Sequence, residues 1–190
     1  MKKTVIYFLR HGEVENPKKI IYGRLPGFNL SENGIKRIKE VAQELKSQKI
    51  DYLYASPMRR TRQTAEILSQ VFRIKKRISR YLIESKLIHA GLPLDIFKKE
   101  IQPKLYEEKY LKLGQESPES QADRMWRFVQ VMKSKHIGKT ILAVSHGDPI
   151  VILKAKILGK PFNWQFKLEN YLKPGYYLIL SCEGNTYRIK

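Results

Sequence analysis

Acidic side chains are scarce in this chain: Asp and Glu number 18 against 37 Lys and Arg in 190 residues, leaving a formal net charge of +19. No cluster of carboxylates marks an acidic metal site, and no P-loop lysine motif is present. Cysteine occurs once, at Cys182, which excludes an internal disulfide and fits a reducing cytoplasm. No apolar run approaches the length of a membrane span, so no membrane partner is expected. Met1-Lys2-Lys3 leads into a short apolar stretch that ends at Arg10-His11. That is too short for the apolar region of a secretory signal and reads as a first strand.

Histidine is rare as well, with four in all, and two of them share one setting. Thr4-Val5-Ile6-Tyr7-Phe8-Leu9-Arg10-His11-Gly12 and Thr140-Ile141-Leu142-Ala143-Val144-Ser145-His146-Gly147 are both apolar, β-branched runs that end in His-Gly. Continuous apolar runs of this length suit strands buried on both faces of a parallel sheet. Parallel strands bring both histidines out at one carboxyl edge, where open α/β sheets bind ligands. The glycine after each histidine is read as space for a bound group to approach the backbone.

Hydrophobic content of 42% with 11% aromatics supports a folded globule. The length suits one domain, 1–190, with a single sizeable core. Strand and helix patterns alternate. Ser31 caps a helix carrying Ile35, Ile38, Val41, Ala42 and Leu45, and Asp51–Ala55 reads as a second strand. Ser56-Pro57 reads as an N-cap and first helical position, Ile78–Ile83 as a third strand, and Ser117-Pro118 and Asp148-Pro149 as further helix starts. A closing hairpin turns at Glu183-Gly184-Asn185. The expected fold is α/β, a three-layer α/β/α sandwich with a mostly parallel central sheet. Residues from about 85 to 116 lack a strand pattern and read as a lid crossing the carboxyl edge of the sheet.

Arg10 and His11 follow the first strand, Arg60 lies in the first turn of a helix, and His146 precedes another helix N-terminus. Two arginines, two histidines and two helix N-termini at one edge call for an anion, and a phosphoryl group suits arginine forks. Without a P-loop or an acidic metal cluster, an imidazole nitrogen can attack phosphorus directly. The leaving alkoxide then needs a neutral carboxylic acid, for which Glu84 is the first candidate and Glu13 the second. Zinc held by the two histidines and Glu84 is disfavoured by the neighbouring arginines. His89 and His136 read as surface residues, Arg59 and Arg62 as solvent-facing, and Cys182 as a packed strand residue. The basic run Arg73, Lys75, Lys76, Arg77 and Arg80 reads as a solvated face, so nucleic acid is not the favoured partner.

Leu9-Arg10-His11-Gly12-Glu13, Ser56-Pro57-Met58-Arg59-Arg60-Thr61-Arg62-Gln63-Thr64-Ala65 and Val144-Ser145-His146-Gly147 together resemble the signature blocks of the histidine phosphatase superfamily, the phosphoglycerate mutase-like fold. The resemblance implies His11 as nucleophile, with Arg10, Arg60 and His146 as phosphate ligands and Glu84 as proton donor. It implies no metal or cofactor and a small phosphorylated substrate. Asn16, Gly23, Arg24 and Gly147 are the further substrate-binding positions. The asparagine that the family places six residues after the nucleophile stands here at five, and the chain has no Glu-Arg-Arg-Tyr-like stretch in its lid. Hydrolysis is therefore favoured over mutase activity, with a basic nucleic-acid-binding protein on the same fold as the non-enzyme alternative.

Overall fold

The computed structural model describes residues 2–190. Its six-stranded sheet has the order β3-β2-β4-β1-β5-β6, with β1 Thr4–Arg10, β2 Tyr52–Ala55, β3 Lys76–Ile78, β4 Thr140–Ser145, β5 Tyr177–Glu183 and β6 Thr186–Ile189. Neighbours from β3 to β1 pair in parallel, whereas β5 returns antiparallel beside β1 and β6 antiparallel beside β5.

Alternation along the central strands builds two cores. Ile6 and Phe8 of β1, Tyr54 of β2 and Ile141 and Ala143 of β4 pack against Met125, Phe128, Ile150 and Leu153. These belong to α5 (Pro118–Lys135) and α6 (Gly147–Ile157). Tyr7, Leu9, Leu53, Ala55, Leu142 and Val144 point the other way, onto Ile38, Val41, Ala65 and Leu68 of α1 (Glu32–Glu44) and α2 (Arg59–Phe72). Each fully buried Leu, Ile or Phe stabilises the fold by about 1.5–3 kcal/mol. Both faces of the inner strands are covered, which is why these strands are apolar throughout rather than alternating. Three layers result, as the sequence pattern requires.

Several local expectations shift. The Ile78–Ile83 strand is instead β3 followed by a 3-10 turn, Arg80–Leu82. Ser79 still donates to the Ala55 carbonyl, but the chain then turns inward, buries Leu82, and places the Leu82 carbonyl on the Ser145 hydroxyl at 2.8 Å. The helix after Ser56-Pro57 starts two residues late, at Arg59; the Ser56 hydroxyl accepts the Met58 N–H at 3.4 Å and also meets His146 Nε2 at 2.8 Å. At α6 the N-cap is His146, and Asp148-Pro149 falls inside the first turn. Ser31 and Ser117 cap as expected, each accepting a backbone N–H three residues on.

The lid holds α3 (Leu94–Ile96), a π turn Phe97–Ile101, a 3-10 turn Gln102–Lys104 and α4 (Glu108–Lys112). A last helix, α7 (Trp164–Asn170), lies between α6 and β5. None of the helices among the described residues is long and apolar enough to cross a membrane.

Candidate active site

The β1–β4 register pairs Leu9 with Val144 and Arg10 with Ser145, so the next residues, His11 and His146, leave the sheet side by side. Their rings stand 5.2 Å apart, edge to face. β2 ends at Ala55 opposite Val144, which delivers Ser56 to the same edge. Arg60, in the first turn of α2, reaches between the imidazoles and is 1% exposed.

The hydrogen bonds define the state of each ring. His11 Nδ1 lies 2.7 Å from the Gly12 carbonyl, which can only accept, so Nδ1 carries the proton and Nε2 is bare. Arg60 Nε donates to that bare Nε2 at 3.1 Å. Arg60 Nη2 donates to His146 Nδ1 at 3.1 Å, and His146 Nε2–H therefore points at the Ser56 hydroxyl, 2.8 Å away. Burial, then the Arg60 and Arg10 charges, hold His11 well below the ordinary imidazole range. Burial and Arg60 do the same to His146. Both rings are neutral at neutral pH.

Glu84 follows the 3-10 turn. Its Oε2 is 3.4 Å from both Arg60 Nη2 and His146 Nδ1, and its Oε1 accepts the Ser85 N–H at 2.9 Å. Burial raises its carboxyl above the usual range, against the pull of Arg60 and with help from Asp148. Glu13, the other candidate acid, is exposed, and its carboxylate accepts from the Ser31 hydroxyl at 2.8 Å.

A cavity of about 280 Å³ is lined by Arg10, Asn16, Tyr22, Gly23, Glu84, Tyr171 and residues of the lid. Arg60, His11 and His146 are buried behind this lining, with Arg60 bonded to Gly23 and Glu84. The Tyr22 ring packs on the Arg60 guanidinium. Gly23, whose φ of +42° suits glycine, presents its carbonyl to Arg60 Nη2 at 2.8 Å. Arg10 binds the Leu172 carbonyl through Nη1 at 2.5 Å and lies over the Tyr171 ring, while its buried Nε has no partner among the described residues. Asn16 closes its own loop through Ile20.

Four expectations need correction. Arg24 does not face the cavity: it donates to the Glu84 carbonyl at 2.7 Å and pairs with Glu116 at 2.8 Å, so it braces the loop behind Glu84. Gly147 and Gly12 leave room for protein rather than ligand. A Cβ on Gly147 would strike the Tyr171 phenol, and one on Gly12 would sit 2.9 Å from the Gly34 carbonyl oxygen. His136 is buried, bonded to the Tyr54 hydroxyl at 2.8 Å and stacked on Tyr52. Arg59 and Arg62 are exposed and Cys182 is packed, as read from sequence; burial pushes the Cys182 thiol up to about 11.

Ligand atoms of His11, Glu84 and His146 lie within 4.8 Å of one another. Yet Arg60 occupies a nitrogen of each ring, so a cation would displace it and then sit against its charge. The donor set fits an anion. Of the basic run, Arg77 lies over the Tyr52 ring and Lys76 pairs with Glu66.

In the sequence Ser56 reads only as a cap and Asp148 only as part of a helix start, and Tyr22, Lys167 and Tyr171 carry no reading at all. Ser56 had a usable signal, since it ends a strand at the histidine edge. Lys167 had none among 37 cations.

One arginine shared by two neutral imidazoles beside a protonatable carboxyl, at the carboxyl edge of an α/β sheet, is the arrangement of a phosphoryl-handling enzyme. Residues 6–190 match the histidine phosphatase superfamily (branch 1), and the chain belongs to it. It is 29% identical over 180 residues to phosphoserine phosphatase 1 of Hydrogenobacter thermophilus, covering 87% of this chain and 82% of that protein. It is 31% identical over 182 residues to the probable phosphoglycerate mutase GpmB of Photorhabdus laumondii, covering 86% and 79%. Among solved structures, Bacillus stearothermophilus YhfR shares the fold at a TM-score of 0.87 and 23% identity, covering 98% of this chain and 95% of that one.

Proposed function

We propose that this histidine phosphatase hydrolyses a small phosphomonoester through a phosphohistidine on His11. The observation that carries the reading is Arg60 Nε on the bare Nε2 of His11, within a guanidinium that also serves His146 and Glu84. An arriving phosphoryl group takes those N–H donors onto its own oxygens, freeing the Nε2 lone pair for in-line attack. Arg10, with its unpartnered Nε, supplies a second fork.

The P–O bond to the leaving alcohol breaks as the P–N bond to His11 Nε2 forms, and Glu84 gives its proton to the departing oxygen. In the second step water attacks phosphorus and returns a proton to the Glu84 carboxylate. The P–N bond breaks and phosphate leaves with His11 neutral again. His146 Nδ1 carries no proton in the free site; a dianionic group facing it favours the imidazolium, which then donates to a phosphoryl oxygen. None of these steps routes through a metal.

The cavity of about 280 Å³ suits a small ester. Relatives named as phosphoserine phosphatase and as probable phosphoglycerate mutase act in that size range, and a release assay separates hydrolysis from migration. The test is phosphate release from an aryl phosphate in excess EDTA. Turnover that persists in EDTA and vanishes in His11→Ala is expected. Turnover that EDTA abolishes and a divalent metal restores contradicts the reading.

A further inference from the structure

The two arginines of the site are held in different ways. Arg60 is fixed by hydrogen bonds to His11, Gly23, Glu84 and His146, beside the Tyr22 ring at 4.9 Å. Arg10 has one side-chain hydrogen bond among the described residues, from Nη1 to the Leu172 carbonyl at 2.5 Å. Its backbone is pinned by the returning chain: the Arg10 N–H donates to the Tyr176 carbonyl at 3.0 Å, and the Arg10 carbonyl accepts the Gly175 N–H at 3.1 Å. What sets the direction of the guanidinium, beyond the Leu172 carbonyl, is the Tyr171 ring, whose centre is 4.8 Å away.

Core packing does not account for Tyr171. It is 39% exposed, lies outside the apolar cores and lines the cavity. Its place is nevertheless fixed from two sides. The phenol packs on Gly147, where a Cβ would strike it, so its seat comes directly after His146. One turn earlier on α7, Lys167 lies 5.2 Å from the same ring and pairs with Asp148, in the first turn of α6, at 2.7 Å. Asp148 thereby offsets a second cation that would repel Arg10 across the shared ring.

An aromatic face attracts a guanidinium while leaving the N–H groups on its edge free to donate. Arg10 Nε is such a group, buried and without a partner among the described residues. We infer that Tyr171 is a positioning residue: its ring, seated on Gly147, holds the Arg10 guanidinium with Nε directed at the phosphoryl group. Tyr171 acts through Arg10 and touches none of the reacting atoms. The inference rests on the phosphatase reading for the role of Arg10. It also links the two sides of the site, because the turn that carries His146 seats the ring that sets Arg10.

The experiment is calorimetric binding of inorganic phosphate to the full chain, in a double-mutant cycle on Tyr171 and Arg10. Tyr171→Leu is expected to weaken phosphate about tenfold, in the range that a partly desolvated cation–π contact contributes. Tyr171→Phe keeps the ring and should bind within about twofold of wild type. In Arg10→Met protein, Tyr171→Leu should cost less than about twofold, because the group it positions is gone. A role in the fold alone predicts the same loss with and without Arg10.

Equal losses in the two backgrounds overturn the inference, as does wild-type affinity in Tyr171→Leu or a loss in Tyr171→Phe as large as in Tyr171→Leu. Tyr171→Gln is measured beside Tyr171→Leu, so misfolding of one non-aromatic variant does not remove the test. The readout is phosphate binding, which separates the two readings. Coupled losses in a protein that releases no phosphate from an aryl ester overturn hydrolysis alone, and additive losses in a protein that hydrolyses it overturn the role of Tyr171 alone.

Discussion

Arg60 Nε sits 3.1 Å from His11 Nε2, on the lone pair that attack on phosphorus requires. The free site is thereby satisfied, and in the proposed mechanism the guanidinium covers the attacking nitrogen until an anion with better acceptors replaces it. Because Arg60 serves both imidazoles, Gly23 and Glu84 through a planar fork, lysine cannot substitute. Arg60→Lys is expected to lower kcat/KM by about 10²–10³-fold, measured by phosphate release, with the loss carried mainly in kcat.

Ser56 holds His146 by the face away from Arg60. Removing its hydroxyl leaves a buried imidazole N–H unpaired and frees the ring to adopt the other tautomer, which offers Arg60 a donor instead of an acceptor. Ser56→Ala is expected to lose about tenfold in kcat with a folded protein less stable by about 1–3 kcal/mol. Ser56→Thr, which keeps the hydroxyl, should recover most of the rate. Steady-state kinetics and urea melts on the two variants check this.

The proposed mechanism requires His11 neutral and Glu84 protonated. Burial and the arginines push His11 well below its ordinary 6.5, so the acid limb of kcat/KM should lie below that value. Burial raises Glu84 above its ordinary 4.5, so the alkaline limb appears as that carboxyl ionises, and activity falls as pH rises through it. Glu84→Gln cannot ionise and should erase the alkaline limb. It should also slow alkyl phosphates by about 10²–10⁴-fold and aryl phosphates far less, since a phenolate leaves without a proton. Equal losses on both substrates move the acid to another residue.

Behind Glu84, Glu116 bridges Arg24 and Arg124 at 2.8 and 2.9 Å, while Arg124 also donates to the Tyr81 and Ile83 carbonyls at 2.8 Å. This brace ties the first loop, the lid base and α5 to the turn carrying the acid. Glu116→Gln leaves two guanidinium groups facing each other and is expected to cost about 1–3 kcal/mol, less than a fully buried pair because Arg24 is partly exposed. The alkaline limb of the pH profile should shift with it, a response that a purely structural role for Glu116 would not produce.

The large elements were legible because burial dictates them. Apolar runs without alternation marked β1 and β4, their shared His-Gly ends marked the site, and Ser31 and Ser117 marked helix starts. What escaped depends on side chains meeting across the fold. Ser56-Pro57 has the local chemistry of a helix start, but its hydroxyl also serves His146 from across the fold, and the helix begins later, at Arg59. The two glycines are required, though by the Tyr171 phenol and the α1 backbone, which no local pattern announces. The Asp148–Lys167 pair joins two helices whose packing follows only from tertiary structure.

The most direct measurement is rapid quenching of wild-type protein during turnover of a phosphomonoester labelled in its phosphoryl group, followed by peptide mapping. The expected result is acid-labile, base-stable phosphate on His11, formed within the first turnover and absent from His11→Ala, which also loses hydrolysis. A His11→Ala protein that hydrolyses at the wild-type rate, or full turnover with the phosphoryl group passing directly to water and no label on His11, contradicts the account.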